Sequence, residues 1–129
     1  MAGEKDLKKL IKGLKPTLQP GAYVYVSLKD PLIIEQCQSI MEFKEREGVT
    51  LILNKEKAQE LNLEYTYESA WITLSIHSSL EAVGLTATVA TALSKNNISC
   101  NTVAAFYHDH LFVPIDKADE SIKILERLS

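Results

Sequence analysis

His108-Asp109-His110 is the most conspicuous place for chemistry in this chain, because it sets two imidazoles around a carboxylate, the donor types that zinc or iron accepts. With three histidines in the chain and no HExxH pairing, such a metal site would need further Asp and Glu from elsewhere. Asp is common in turns because its side chain bonds its own backbone, so the triplet reads as a tight hairpin tip. Cys100 lies near these histidines as a thiol nucleophile would lie near its base. Its position beside Ile98 and Val103, however, asks only for a small apolar side chain at the entry to a strand. Cys37 and Cys100 are far apart and form no CxxC pair, so they read as small buried hydrophobes in a reducing compartment. No GxGxxG, P-loop or GxSxG motif is present, which leaves an ATP- or NAD-dependent reaction without support. The expectation is a protein with no catalytic residues, no metal and no cofactor.

A second kind of chemistry is recognition. His77-Ser78-Ser79-Leu80-Glu81-Ala82-Val83-Gly84 leaves the end of a strand and opens onto a helix. The unpaired N–H groups and positive dipole end of that helix make an anion site that an amino-acid carboxylate would fit. Ser78 and Ser79 add hydroxyls, Glu81 could hold an ammonium group, and Gly84 lets backbone or ligand approach closely. The same residues also allow ordinary capping, with Ser79 or Thr86 satisfying the helix start.

Positioning such a loop requires elements on both sides of it. Leu7, Leu10, Ile11 and Leu14 recur at helical spacing, and Pro16 with Pro20-Gly21 ends that helix. Residues 22–28 read as a strand with Val24, Val26 and Leu28 inward, ended by Asp30-Pro31. Residues 32–38 suit a short helix, and residues 39–44 and 49–53 suit two strands joined by the charged turn Glu45-Arg46-Glu47-Gly48. Asn54 stands where it would cap a short helix over residues 55–61. Residues 67–77 form the most regular strand, with Ile72, Leu74 and Ile76 on one face and Trp71, Thr73 and Ser75 on the other. Leu85, Val89, Ala92 and Leu93 then mark a helix that Asn96-Asn97 closes. Strands at 102–107 and 111–115 flank the hairpin tip, and Asp116 would cap a last helix with Ala118, Ile122, Leu125 and Leu128 inward.

The order of elements repeats one theme twice. A split βαβ, ferredoxin-like arrangement in an α+β fold follows from right-handed crossovers and the closing hairpin. The two units would span residues 1–66, an opening helix with a truncated unit, and residues 67–129. The second unit lacks its last strand, so either the first half supplies one or an exposed edge pairs with another copy in a homodimer.

Composition narrows the partners. The 129 residues carry 14 Lys plus Arg against 17 Asp plus Glu, a charge of -3 with no basic stripe, which argues against nucleic acid. At 46% hydrophobic residues the chain can fill a core, and no run is long and apolar enough to span a bilayer, so membrane is not expected and a cytoplasmic location is the default.

Val83-Gly84-Leu85, the helix ending Ala92-Leu93-Ser94-Lys95-Asn96-Asn97-Ile98, and Ser99-Cys100-Asn101-Thr102-Val103 resemble the glycine loop, helix and strand entry of ACT domains, small amino-acid-sensing regulatory modules. Residues 77–86 and Tyr107-His108-Asp109-His110-Leu111-Phe112-Val113-Pro114 look more narrowly like bacterial tandem-ACT proteins of the CASTOR/ACT type, related to aspartate kinase regulatory domains. Asn97 stands where ACT domains usually carry Gly, and Val83 stands where a proline is common. The resemblance implies that Ser78, Ser79, Glu81, Val83, Gly84 and Thr86 line an effector loop. It also implies that His108 and Asp109 lie on a hairpin near an inter-domain or inter-subunit surface. The function so implied is a non-catalytic sensor of an amino acid or similar metabolite; the competing expectation is a dimerisation module without ligand.

Overall fold

The computed structural model describes residues 6–75 and 83–129. In chain order the elements are α1 (Leu7–Lys12), β1 (Pro16–Leu18), β2 (Tyr23–Leu28), α2 (Pro31–Gln36), β3 (Met41–Lys44), β4 (Val49–Asn54), α3 (Lys55–Glu60) and β5 (Glu68–Leu74). They continue with α4 (Leu85–Lys95), β6 (Asn101–Ala104), β7 (Asp109–Pro114) and α5 (Ala118–Glu126), the last preceded by a 3₁₀ turn at Ile115–Lys117. Two compact units result: residues 21–69, and residues 1–20 together with 70–129. The opening helix of the first sequence unit, residues 1–66, therefore packs with the residues of the second, 67–129.

The unit over residues 21–69 is built on β2. Its alternation places Val24 and Val26 inward against Leu51 and Leu53 of β4, with Cys37 and Ala58 completing the buried cluster. β4 pairs antiparallel with β2 from Asn54 opposite Tyr23 to Val49 opposite Leu28, and with β3 on its other side. The β3–β4 turn forms as its charges suggested, with Glu45 N–H donating to Gly48 O at 2.9 Å. Both short helices start on side-chain caps: Asp30 accepts from Leu32 N–H at 2.9 Å with Pro31 at the first helical position, and Asn54 accepts from Glu56 N–H at 2.8 Å.

In the other unit, Asp6 caps α1 by accepting from Lys8 and Lys9 N–H. Leu10 and Leu14 then enter a core with Ile72 and Leu74 of β5, Val89 and Leu93 of α4, Leu111 and Val113 of β7, and Leu125 of α5. β7 lies between β5 and β6, and β6 pairs antiparallel with β7. The missing strand of this unit is supplied within the same chain. β1 pairs antiparallel with β5, Pro16 opposite Leu74 and Leu18 opposite Ile72.

Three local expectations are corrected. The hairpin tip is residues 105–108, closed by Ala105 N–H donating to His108 O at 3.0 Å, so Asp109 and His110 belong to β7. The apolar run Leu111-Phe112-Val113 extends the strand backward and leaves Phe106-Tyr107 to make the turn. Asp116 lies in the 3₁₀ turn and does not cap α5, whose N-cap position is Lys117 with no side-chain bond. The buried face of α5 is Ser121, Ile124 and Leu125, while Ala118, Ile122 and Leu128 pack at its margin.

Candidate functional site

The start of α4 is built by Gly84. Its φ of +96° is a left-handed conformation, and a Cβ added there would stand 3.1 Å from Leu7 Cδ2 of α1. Glycine is favoured there by the backbone angle, and a side chain would also press on the tip of Leu7 in α1. Leu85 is buried behind it, Val83 and Thr86 are exposed, and no side chain caps the helix at Gly84. Of the two capping candidates, Thr86 lies inside the helix and not at its N-cap position, and Ser79 lies outside the described residues. Ser78, Ser79 and Glu81 lie outside the described residues. What the described part contributes is an exposed start to an 11-residue helix whose first N–H groups have no side-chain acceptor at Gly84.

The hairpin residues separate. Asp109 alternates with Leu111 and Val113 toward the core and is 8% exposed, and burial raises its carboxyl above the usual value. His108 instead stands beside His110, ring centroids 6.4 Å apart, with its Nδ1 buried and without a hydrogen-bond partner. The two hairpin residues proposed from the resemblance do not share a face.

A polar cluster that sequence reasoning missed lies around His110. Trp71 Nε1–H donates to His110 Nδ1 at 3.0 Å, so that nitrogen must be the unprotonated one. The Thr73 hydroxyl, 3.1 Å from the same nitrogen, donates to it as well, and accepts in turn from Gln19 Nε2 at 3.0 Å. His110 is held neutral with its proton on Nε2, and its pKa is lowered first by burial and then by His108, against a smaller opposing effect of Asp109. Trp71 also stacks on Phe112 at 6.4 Å. The alternation of β5 had already put Trp71 and Thr73 on one face; what it could not reveal was that β1 and β7 bring Gln19 and His110 to them.

Among the described residues no three of His, Cys, Asp and Glu converge to hold a metal ion. Both thiols are free, and burial raises the pKa of each, the opposite of an activated nucleophile. Neutral His110 spends its acceptor nitrogen on Trp71 and Thr73, which suits positioning of the strand more than proton transfer.

Residues 2–70 match one family model described as ACT domain, and residues 66–127 match a second of the same description. No curated protein matches. Among solved structures, a Vibrio cholerae protein of unknown function, VC0802, is 41% identical over 96% of both chains with a TM-score of 0.86; its description adds "Possible Transport Protein". The Agrobacterium tumefaciens protein Atu0741 is similar at 16% identity, covering 89% of this chain and 88% of its own, with a TM-score of 0.69. The regulatory subunit of aspartate kinase from Thermus flavus is similar in fold at 10% identity over 99% of both chains, with a TM-score of 0.67.

Proposed function

The chain belongs to the ACT-domain family, and from that premise we propose that it is a non-catalytic regulatory module that binds an amino acid or a similar small metabolite. One observation carries the reading: the start of α4 is shaped by a left-handed Gly84 against α1 and has no side-chain cap there. An α-carboxylate is the kind of group such a helix end favours, through its N–H groups and the positive end of its dipole. On this reading Ser78 and Ser79 add hydroxyl bonds, Glu81 takes the ammonium group, and exposed Val83 and Thr86 flank half-buried Gly84 to form the wall. His108 contributes on this reading through its Nδ1, which is buried and has no hydrogen-bond partner, and Asp109 enters only as its neighbour in the chain. The likeness to tandem-ACT proteins of the CASTOR/ACT type supports a sensor that acts on a protein partner, since an effector shifts an equilibrium only by its differential affinity for two states. The free thiols support a reducing, cytoplasmic setting.

The test is a thermal-shift screen against the twenty amino acids at millimolar concentration, with arginine, lysine and aspartate included. A ligand at one hundred times its Kd adds about 2.7 kcal/mol, which moves the midpoint by several degrees. Silence across the panel would contradict the reading. The alternative, a dimerisation module without ligand, drew on the missing strand of the second unit, and β1 supplies that strand within the chain.

A further inference from the structure

In the unit over residues 21–69, β2 has two unequal sides. β4 pairs with it along its whole length, but among the described residues β5 meets only Tyr23, opposite Ser69, and Val24, opposite Glu68. Which groups face that second side follows from two bonds. Lys55 N–H, just after β4, donates to Ala22 O at 2.9 Å, and the Ser69 hydroxyl of β5 donates to Tyr23 O at 2.8 Å. Backbone groups alternate between the two edges of a strand, so Ser27 turns its N–H and C=O the same way as Tyr23, beyond the end of the β5 pairing.

A cleft of about 560 Å³ lies along this edge, the size of a small-molecule site. Tyr25, Val26 and Ser27 line it in succession. Successive side chains of a strand point to opposite faces, so only its edge presents three in a row. The other wall includes Glu64, Tyr65 and Thr66. Glu64 is exposed and has no ion-pair partner among the described residues, and no Lys, Arg or His lines the cleft. Lys55, which interacts electrostatically with Tyr65, is already held by Glu68 at 3.0 Å. An anion in the cleft would therefore lie against Glu64 with no cationic side chain to offset it.

The hydrogen-bonding groups are mostly acceptors. Ser27 offers its carbonyl and hydroxyl, Thr66 a hydroxyl and Glu64 two carboxylate oxygens. Tyr67, next in the chain after Thr66, sets its ring 5.9 Å from that of Tyr25, and its hydroxyl is buried without a hydrogen-bond partner. An alkylammonium group, with three N–H donors and one positive charge, complements this set. Tyrosine rings add an apolar wall for its carbons and a negative face for its charge.

We propose that this cleft binds a free aliphatic primary amine, its ammonium group on Glu64, Ser27 O and Thr66 Oγ and its alkyl chain along Tyr25 and Tyr65. The site belongs to residues 21–69 and does not depend on the reading of α4.

The test is isothermal titration of n-butylamine into the full chain at low ionic strength. n-Butanol keeps the alkyl chain without the charge, and tetramethylammonium keeps the charge without the N–H donors. Saturable binding of n-butylamine is expected in the wild type, weakened about tenfold or more in Glu64→Gln, as for a lost charge-assisted hydrogen bond. Both other probes are expected to bind at least as much more weakly. Glu60→Gln, which alters a carboxylate paired with Lys57 outside the cleft, and Glu81→Ala, before α4, are expected to match the wild type. Absence of n-butylamine binding, unchanged affinity in Glu64→Gln, an equal loss in Glu60→Gln, or tetramethylammonium binding as tightly as n-butylamine would overturn the proposal. Binding lost in Glu81→Ala and kept in Glu64→Gln would overturn it too, by moving the amine to the loop before α4.

Discussion

Gly84 is where geometry and recognition meet. Any side chain there must adopt φ near +96° and displace Leu7 Cδ2, 3.1 Å from the added Cβ. Gly84→Ala should lower stability by about 1–3 kcal/mol in urea titration, the usual range for a left-handed non-glycine residue. Val83→Ala, at an 82% exposed position, should leave stability unchanged. His110 makes a pH prediction. Its pKa is lowered in the fold from 6.5, so the unfolded chain binds the extra proton first and stability falls as pH drops below about 6.5. Asp109 acts in the opposite sense, because its pKa is raised from 3.8 and its contribution improves as pH falls toward that value. Thermal melts of wild type and His110→Asn at pH 7.5 and 5.5 separate the two. The wild type should lose more between these values than the variant, whose amide keeps an acceptor for Trp71 without a proton to gain. Equal losses would show that His110 does not titrate against the fold.

At the scale of elements, α1 and β1 are the pieces that complete the unit with residues 70–129. α1 has six residues, too few to be stable by its own propensity, and it is held by Leu10 and Leu14 in the core. Leu10→Ala should cost about 2–5 kcal/mol, read as an earlier urea transition in the fluorescence of Trp71, the chain's single tryptophan. The residues that announced elements clearly did so by pattern: the helical spacing from Leu7 to Leu14, the alternation around Val24 and Ile72, and the cap at Asn54. β1 was illegible because it is three residues long, starts on a proline and gains its identity only from pairing with Thr73 and its neighbours. The hairpin tip was misplaced because Phe106 and Tyr107 lack ordinary turn chemistry, while His108-Asp109-His110 has it. The His110 cluster was invisible for a related reason: it is assembled from β5, β7 and the segment after β1, and no sequence period links Gln19, Trp71, Thr73 and His110.

For the whole molecule, the 129 residues carry a net charge of -3, and among the described residues no three of His, Cys, Asp and Glu converge to hold a metal ion. ACT-domain matches over residues 2–70 and 66–127 give the chain two repeats, and the fold redistributes their residues into units of 21–69 and 1–20 with 70–129. The site proposed at α4 belongs to the second of these, and its Gly84 contacts the helix that the N-terminal segment brings in. Ligand recognition and the packing of α1 are therefore expected to be coupled. Isothermal titration of the amino acid that gives the largest thermal shift, into wild type and into Ser79→Ala and Glu81→Ala, tests the central claim most directly. Saturable binding by the wild type, weakened at least tenfold in both variants, is the predicted result. The absence of heat for every amino acid, or equal affinity in all three proteins, would contradict it.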